Sequence, residues 1–146
     1  FNSQLAYYLK RMDANCICLF NEYFEEELFD EKGRECSYFN FSGAERKNLD
    51  LACLFTFMDI RRLQGDISYN INIYDELLDS SLDEKGVNMV IDILRERVEK
   101  LEECIMIISH RKESVKAAGD KDTNGINDVI FLEKENGITK RVSYNE

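Results

Sequence analysis

Four short stretches of this chain carry side chains suited to handling a phosphate or an attacking water. In Ile71-Asn72-Ile73-Tyr74-Asp75-Glu76, β-forming residues end in two acids. A magnesium-dependent nucleotide hydrolase needs this from such an element: Asp75 would hold Mg2+ directly or through water, and Glu76 would polarise the attacking water. An acid after a strand is also an ordinary solvated loop residue, so the stretch alone carries little weight. In Phe41-Ser42-Gly43-Ala44-Glu45-Arg46, a serine and a glycine open a helix, where backbone N–H groups and a hydroxyl could meet an anionic phosphate. The plain alternative is a capping box, with Ser42 and Glu45 three residues apart. Asp79-Ser80-Ser81-Leu82-Asp83 makes a polar turn in which Asp83 could equally cap the next helix. His110, the sole histidine, follows Ile107-Ile108-Ser109 at the end of an apolar run. From there it would face the same crevice as Asp75 and Glu76.

The elements that must position these residues follow from periodicity. Leu5, Leu9, Met12, Cys16, Leu19, Tyr23 and Leu28 recur mostly at spacings of three or four, which predicts one long amphipathic helix over 3–31 with Gly33 as its stop. A second helix is expected from Ser42 to about Leu63, with Gly65 beyond. Leu49, Leu51, Cys53, Leu54, Phe55, Phe57 and Met58 surround much of its circumference, so burial on more than one side is expected. Strands are expected at 69–74, as an interior strand, and at 104–109. Between them Val87, Val90, Ile91, Leu94, Val98 and Leu101 step at helical spacing, giving a strand-helix-strand crossover and a parallel pair. The tail reads as strands at 128–134 and 138–144 around Asn136-Gly137, a strong hairpin turn. The class is α/β.

Composition narrows the function. The chain has 146 residues, the size of one ordinary domain, and 44% hydrophobic residues, enough for a core. A net charge of −10 makes it a poor phosphate-tracking surface by itself, so any nucleic-acid contact would need other parts of the protein. Five cysteines with no CxxC pair suit neither a disulfide framework nor a paired zinc site, and point to a reducing cytoplasm. No apolar run approaches the roughly 18 residues of a membrane span. A helical pattern already running at Phe1 suggests a piece of something longer. Asp120-Lys121-Asp122-Thr123-Asn124-Gly125 imitates the opening of a calcium loop, but its twelfth position is Phe131 and its eighth is Asn127. That reading is rejected in favour of a solvated loop.

The order of the four stretches, from Phe41 to Arg111, resembles the ABC ATPase series: signature motif, Walker B, D-loop and switch histidine. With Phe-Ser-Gly-Ala-Glu-Arg preceded by a long helix, it looks like the coiled-coil-split heads of SbcC-like (SMC/ABC-type) DNA-repair ATPases. The resemblance implies the C-terminal lobe of an ABC-type P-loop ATPase head: parallel strands with flanking helices plus a C-terminal β-hairpin. Residues 1–33 would be a helix at the coiled-coil base and 34–146 the lobe itself. By the same resemblance, Glu76 and His110 are catalytic, with His110 contacting the γ-phosphate, and Asp75 binds Mg2+. Ser42, Gly43 and Glu45 bind nucleotide in trans, and the D-loop residues Ser81, Leu82 and Asp83 communicate across the head interface. ATP is the substrate. The implied partners are the chain's own N-terminal Walker A lobe, a second head in a homodimer, a phosphoesterase-type repair nuclease subunit, and DNA through the full complex, with no membrane.

Departures from the pattern matter. None of the seven glycines opens G-x-x-x-x-G-K-[ST], so Walker A is absent and the chain alone is expected to be inactive. Ala44 replaces the second signature glycine. The zinc-hook CxxC is missing. Two rivals remain: another ABC head, of a transporter or a chromosome-organising protein, and a non-catalytic interaction module in which Asp75, Glu76 and His110 do not converge.

Overall fold

The computed structural model describes residues 1–65, 70–78, 81–110 and 129–142. Helix α1 (Asn2–Arg11) buries Leu5, Tyr8 and Leu9, a spacing that keeps one face on the core, and Met12 continues that face just past its end. The expected helix over 3–31 is not formed. The chain turns at Asp13, which takes a left-handed conformation (φ 51°), and Cys16–Phe20 (β1) pairs antiparallel with Glu26–Asp30 (β2). Physically, the apolar positions beyond Met12 fit two periods. Cys16, Cys18 and Phe20 alternate with the more exposed Ile17 and Leu19, and Cys18 and Leu28 are buried directly opposite each other. Asn21 then closes the hairpin, its side-chain oxygen accepting from the Tyr23 and Glu25 N–H groups at 2.9 and 3.0 Å. All five cysteines are free thiols.

Helix α2 (Gly43–Leu63) starts where Ser42 and Glu45 predict, and Gly65 follows with φ +74°. At 21 residues it is roughly 30 Å long. It buries Leu49, Leu51, Ala52, Phe55 and Thr56. The expectation of burial around most of its circumference is too broad, since Leu54 is 39% and Phe57 46% exposed. Helix α3 (Glu84–Leu101) buries Val87, Val90, Ile91 and Leu94 as expected, together with Ile93 and Arg97. Arg97 is the polar centre of the molecule. It makes a two-pronged pair with Glu103 (2.9 and 2.8 Å) and reaches Asp59 at 2.6 Å and the Tyr8 hydroxyl at 3.1 Å. Tyr8 and Gln4 in turn donate to Asp59 at 2.6 and 2.7 Å. Burial disfavours the guanidinium charge, but Glu103 and Asp59 outweigh it and hold Arg97 above its ordinary range. One side chain thereby ties α1, α2, α3 and the entry to the next strand.

Ile71–Asp75 (β3) and Cys104–Ile108 (β4) pair in parallel across α3, in register from Ile71↔Cys104 to Asp75↔Ile108. Their inner face sends Tyr74, Ile105 and Ile107 towards the core, whereas the outer face leaves Ile71, Ile73, Met106 and Ile108 each at least half exposed. Among the described residues β3 pairs with β4 alone, so its expected interior position is not completed here. Phe131–Glu135 (β5) and Ile138–Val142 (β6) form the expected hairpin, with Asn136 (φ 51°) and Gly137 (φ 81°) both left-handed as a tight primed turn requires. The architecture is α/β: helices flanking parallel and antiparallel sheets, with a C-terminal hairpin. No helix among the described residues is long and apolar enough to cross a membrane. Asp79, Ser80 and the rejected calcium-loop residues 120–127 lie outside the described residues.

Candidate functional site

Asp75 is the last residue of β3, opposite Ile108, and its side chain lies on the exposed face. Glu76 leaves the strand in a left-handed conformation (φ 54°) while its N–H donates to the Ile108 carbonyl at 2.9 Å. That backbone is costly for a non-glycine residue, by about 1 kcal/mol or more. It breaks the alternation of the strand and turns the Glu76 side chain towards the end of β4. There Oε1 lies 3.1 Å from His110 Nε2. Glu76 and His110 therefore meet at the C-terminal ends of adjacent parallel strands, beside Asp75, although 34 positions separate them in sequence. Of the three residues that an accidental motif match would leave apart, Glu76 and His110 are in contact.

A second group lies at the start of α2. The Ser42 hydroxyl accepts from the Glu45 N–H at 3.3 Å, and the Glu45 carboxylate accepts from the Ser42 N–H at 2.7 Å. Donation to the Glu45 carboxylate, first from the Ser42 hydroxyl and then from the Ser42 N–H, holds this carboxyl below its ordinary range. The stabilisation it brings is present above the unfolded carboxyl's range and is lost as pH falls through the folded one. Ser42→Ala is expected to lower stability by about 1 kcal/mol through loss of the cap. Ser42→Asp, which keeps a capping oxygen, should leave the urea midpoint close to wild type. Comparing the two separates the cap from any further role of the hydroxyl.

The two groups are joined by the connection between β3 and α3. After Glu76, Leu77 and Leu78 are buried, and Ser81 returns in a left-handed conformation (φ 63°) against the first turn of α2. A Cβ on Gly43 would stand 3.5 Å from the Ser81 Oγ. Leu82 is 3% exposed, and Asp83 caps α3 by accepting from the Gly86 N–H at 2.7 Å. Sequence reasoning missed Gly86. A Cβ there would lie 3.1 Å from both the Leu82 Cδ2 and the Asp83 Oδ1, so a side chain would press on this turn. A glycine in the third position of a helix, just after Ser-Leu-Asp, was the available signal.

Among the described residues no three His, Cys, Asp or Glu side chains gather as a metal cage. The exposed Asp75 carboxylate is chemically suited to Mg2+ that would arrive with a phosphate-bearing ligand, because magnesium commonly takes one or two protein carboxylates and completes its shell with phosphate oxygens and water.

No protein-family model matches the chain. It is 34% identical over 119 residues to exonuclease subunit 2 of Escherichia phage RB69 and 33% identical over 111 residues to exonuclease subunit 2 of Enterobacteria phage T4. These alignments take in 82% and 76% of this chain but 21% and 19% of the phage proteins, so the chain spans about a fifth of their length. In fold it is similar to the SMC head domain from Thermotoga maritima (TM-score 0.65, 19% identity, covering 99% of this chain and 47% of that one). It is likewise similar to the Smc head domain with an extended coiled coil bound to the C-terminal domain of ScpA, derived from Pyrococcus furiosus (TM-score 0.69, 18% identity, 98% and 34% covered).

Proposed function

We infer that this chain, an SMC/ABC-ATPase-like head domain related to phage exonuclease subunits, is the C-terminal lobe of an SbcC-like ATPase head in a DNA recombination and repair nuclease complex. The observation that carries the reading is the junction of Glu76 with His110 beside Asp75, at one end of the connection whose Ser81 comes close to Gly43 at the start of α2. Asp75 would hold Mg2+ with the nucleotide, and the ion would neutralise phosphate charge. Glu76 would orient and polarise the attacking water. His110, which fixes the Glu76 carboxylate through one oxygen, would reach the γ-phosphate. Ser42, Gly43 and Glu45 would close in trans on the nucleotide of a second head, with Ser81, Leu82 and Asp83 reporting that closure to Glu76. ATP would thus hold two heads together and hydrolysis release them, controlling the processing of DNA ends by a phosphoesterase-type nuclease partner in the cytoplasm.

The outer face of β3–β4 supports a missing N-terminal lobe. Parallel sheets are covered on both faces and extend beyond two strands, yet Ile71, Ile73, Met106 and Ile108 lie open on this one. A lobe bringing Walker A and further strands would cover them. Residues 1–33, a helix followed by a hairpin, would stand at the base of the coiled coil, and 34–146 would make up the lobe proper. Mixing this chain with a Walker A-bearing N-terminal lobe tests the assignment. The mixture is expected to hydrolyse ATP and neither piece alone to do so. A folded mixture that binds no nucleotide would overturn it.

A further inference from the structure

We propose that the tip of the β1–β2 hairpin and the adjoining flank of α2 form a docking site for a partner protein segment presenting an apolar side chain flanked by lysine or arginine. The site is distinct from the one above. Phe57 lies fourteen residues along α2 from Gly43, roughly 20 Å away.

Four aromatic rings gather there. Phe1 packs on Phe20, Phe24 and Phe57 with centroid distances of 5.2, 5.3 and 4.8 Å, and Phe24 stacks on Phe20 at 4.7 Å. Their cluster is not sealed, since Phe24 remains 51% and Phe57 46% exposed, and the neighbouring Tyr23 stands out at 77%. Clustered exposed aromatics of this kind are where protein interfaces concentrate their energy. The turn that presents them is built in advance. Besides its two side-chain bonds to backbone N–H groups, Asn21 donates through Nδ2 to the Glu25 carboxylate at 2.8 Å and accepts from the Phe24 N–H through its carbonyl at 3.0 Å. Phe24 is held left-handed (φ 65°), a strained backbone for an aromatic residue that such bracing can sustain. A braced loop loses little entropy on binding.

Charge chooses the occupant. From Asp13 to Glu31 the sequence carries seven acids and no lysine or arginine, and Glu22, Glu25, Glu26 and Glu27 surround the turn, all exposed. This repels nucleic acid and also a second copy of a chain with net charge −10. It attracts a basic segment, with Tyr23 and Phe24 offering the apolar contact.

The test is fluorescence anisotropy of a labelled KRLWKR peptide titrated with the full chain, with EELWEE as the charge-reversed probe. KRLWKR is expected to bind and EELWEE not to. Tyr23→Ala, with unchanged circular dichroism, is expected to weaken binding about tenfold. Glu22→Lys/Glu26→Lys should remove it, while Glu99→Lys/Glu102→Lys, an equal charge change on the exposed end of α3, should cost less than about threefold. The proposal is overturned if KRLWKR fails to bind, if Tyr23→Ala binds as wild type, or if the α3 control loses as much as the hairpin variant. A concentration-dependent dimer that Tyr23→Ala abolishes would give the surface to a second copy and overturn it equally.

Discussion

Replacing Glu76 by glutamine in a complete head is expected to reduce ATP turnover by about 10²- to 10⁴-fold, the usual worth of a positioned general base, while leaving nucleotide-dependent association of heads intact. The amide keeps the size and one hydrogen-bonding oxygen of the carboxylate, so the contact with His110 at 3.1 Å can persist. What would be lost is the negative charge that, in the proposed role, draws a proton from the attacking water. His110→Ala should cost less, because the carboxylate stays and only its orientation and the proposed phosphate contact would go. The measurement is steady-state phosphate release together with the fraction of dimer in saturating ATP. Turnover of Glu76→Gln within about twofold of wild type would remove Glu76 from the chemistry. Loss of both turnover and association would instead place its role in nucleotide binding.

The second large effect concerns stability. Arg97→Met is expected to cost about 3–5 kcal/mol, since it leaves the Glu103 carboxylate, 7% exposed, with no close countercharge among the described residues beyond Arg62 at 3.7 Å. Domains of this size are stable by only about 5–15 kcal/mol, so this variant should show a sharply lowered urea midpoint. The double variant Arg97→Met/Glu103→Leu should recover much of the loss, because an apolar pair of similar volume no longer buries an uncompensated charge. Asp59 would keep the hydroxyl of Tyr8 and the amide of Gln4 as donors. If the double variant is no more stable than the single, the damage lies in packing rather than in the stranded carboxylate.

The sequence made some of this plain and hid the rest for physical reasons. Ser42 and Glu45 announced the start of α2 because a capping box is local. The step of Val87, Val90, Ile91 and Leu94 fixed α3 as a crossover and so fixed β3 and β4 as parallel. Asn136-Gly137 dictated its turn because two consecutive left-handed residues are cheap for that pair. The junction of Glu76 with His110 followed once the strands were parallel, since both residues come at carboxyl ends. The stretch 16–31 was misread because spacings of three and four coexist there with an alternating pattern, and the deciding interaction is the bonding of the Asn21 side chain to its own turn. The Arg97 network could not be read at all. Its members come from α1, α2, α3 and the approach to β4, and a charged residue in a helical pattern looks solvated until its partners are brought around it. The approach of Ser81 to Gly43 is of the same kind, a meeting of two segments that neither announces alone.

The parallel pairing of β3 with β4 also carries a consequence for the order of assembly. The β1–β2 and β5–β6 hairpins close over a few residues and can form within microseconds, whereas β4 cannot align with β3 until the whole of α3 has been laid down between them. Glu76 and His110 meet just beyond the last rung of that ladder, so their corner should be completed late in folding and released early in local opening. Amide exchange at Glu76, whose N–H is held by Ile108, is therefore a direct clock for the part of the molecule on which the proposed chemistry depends.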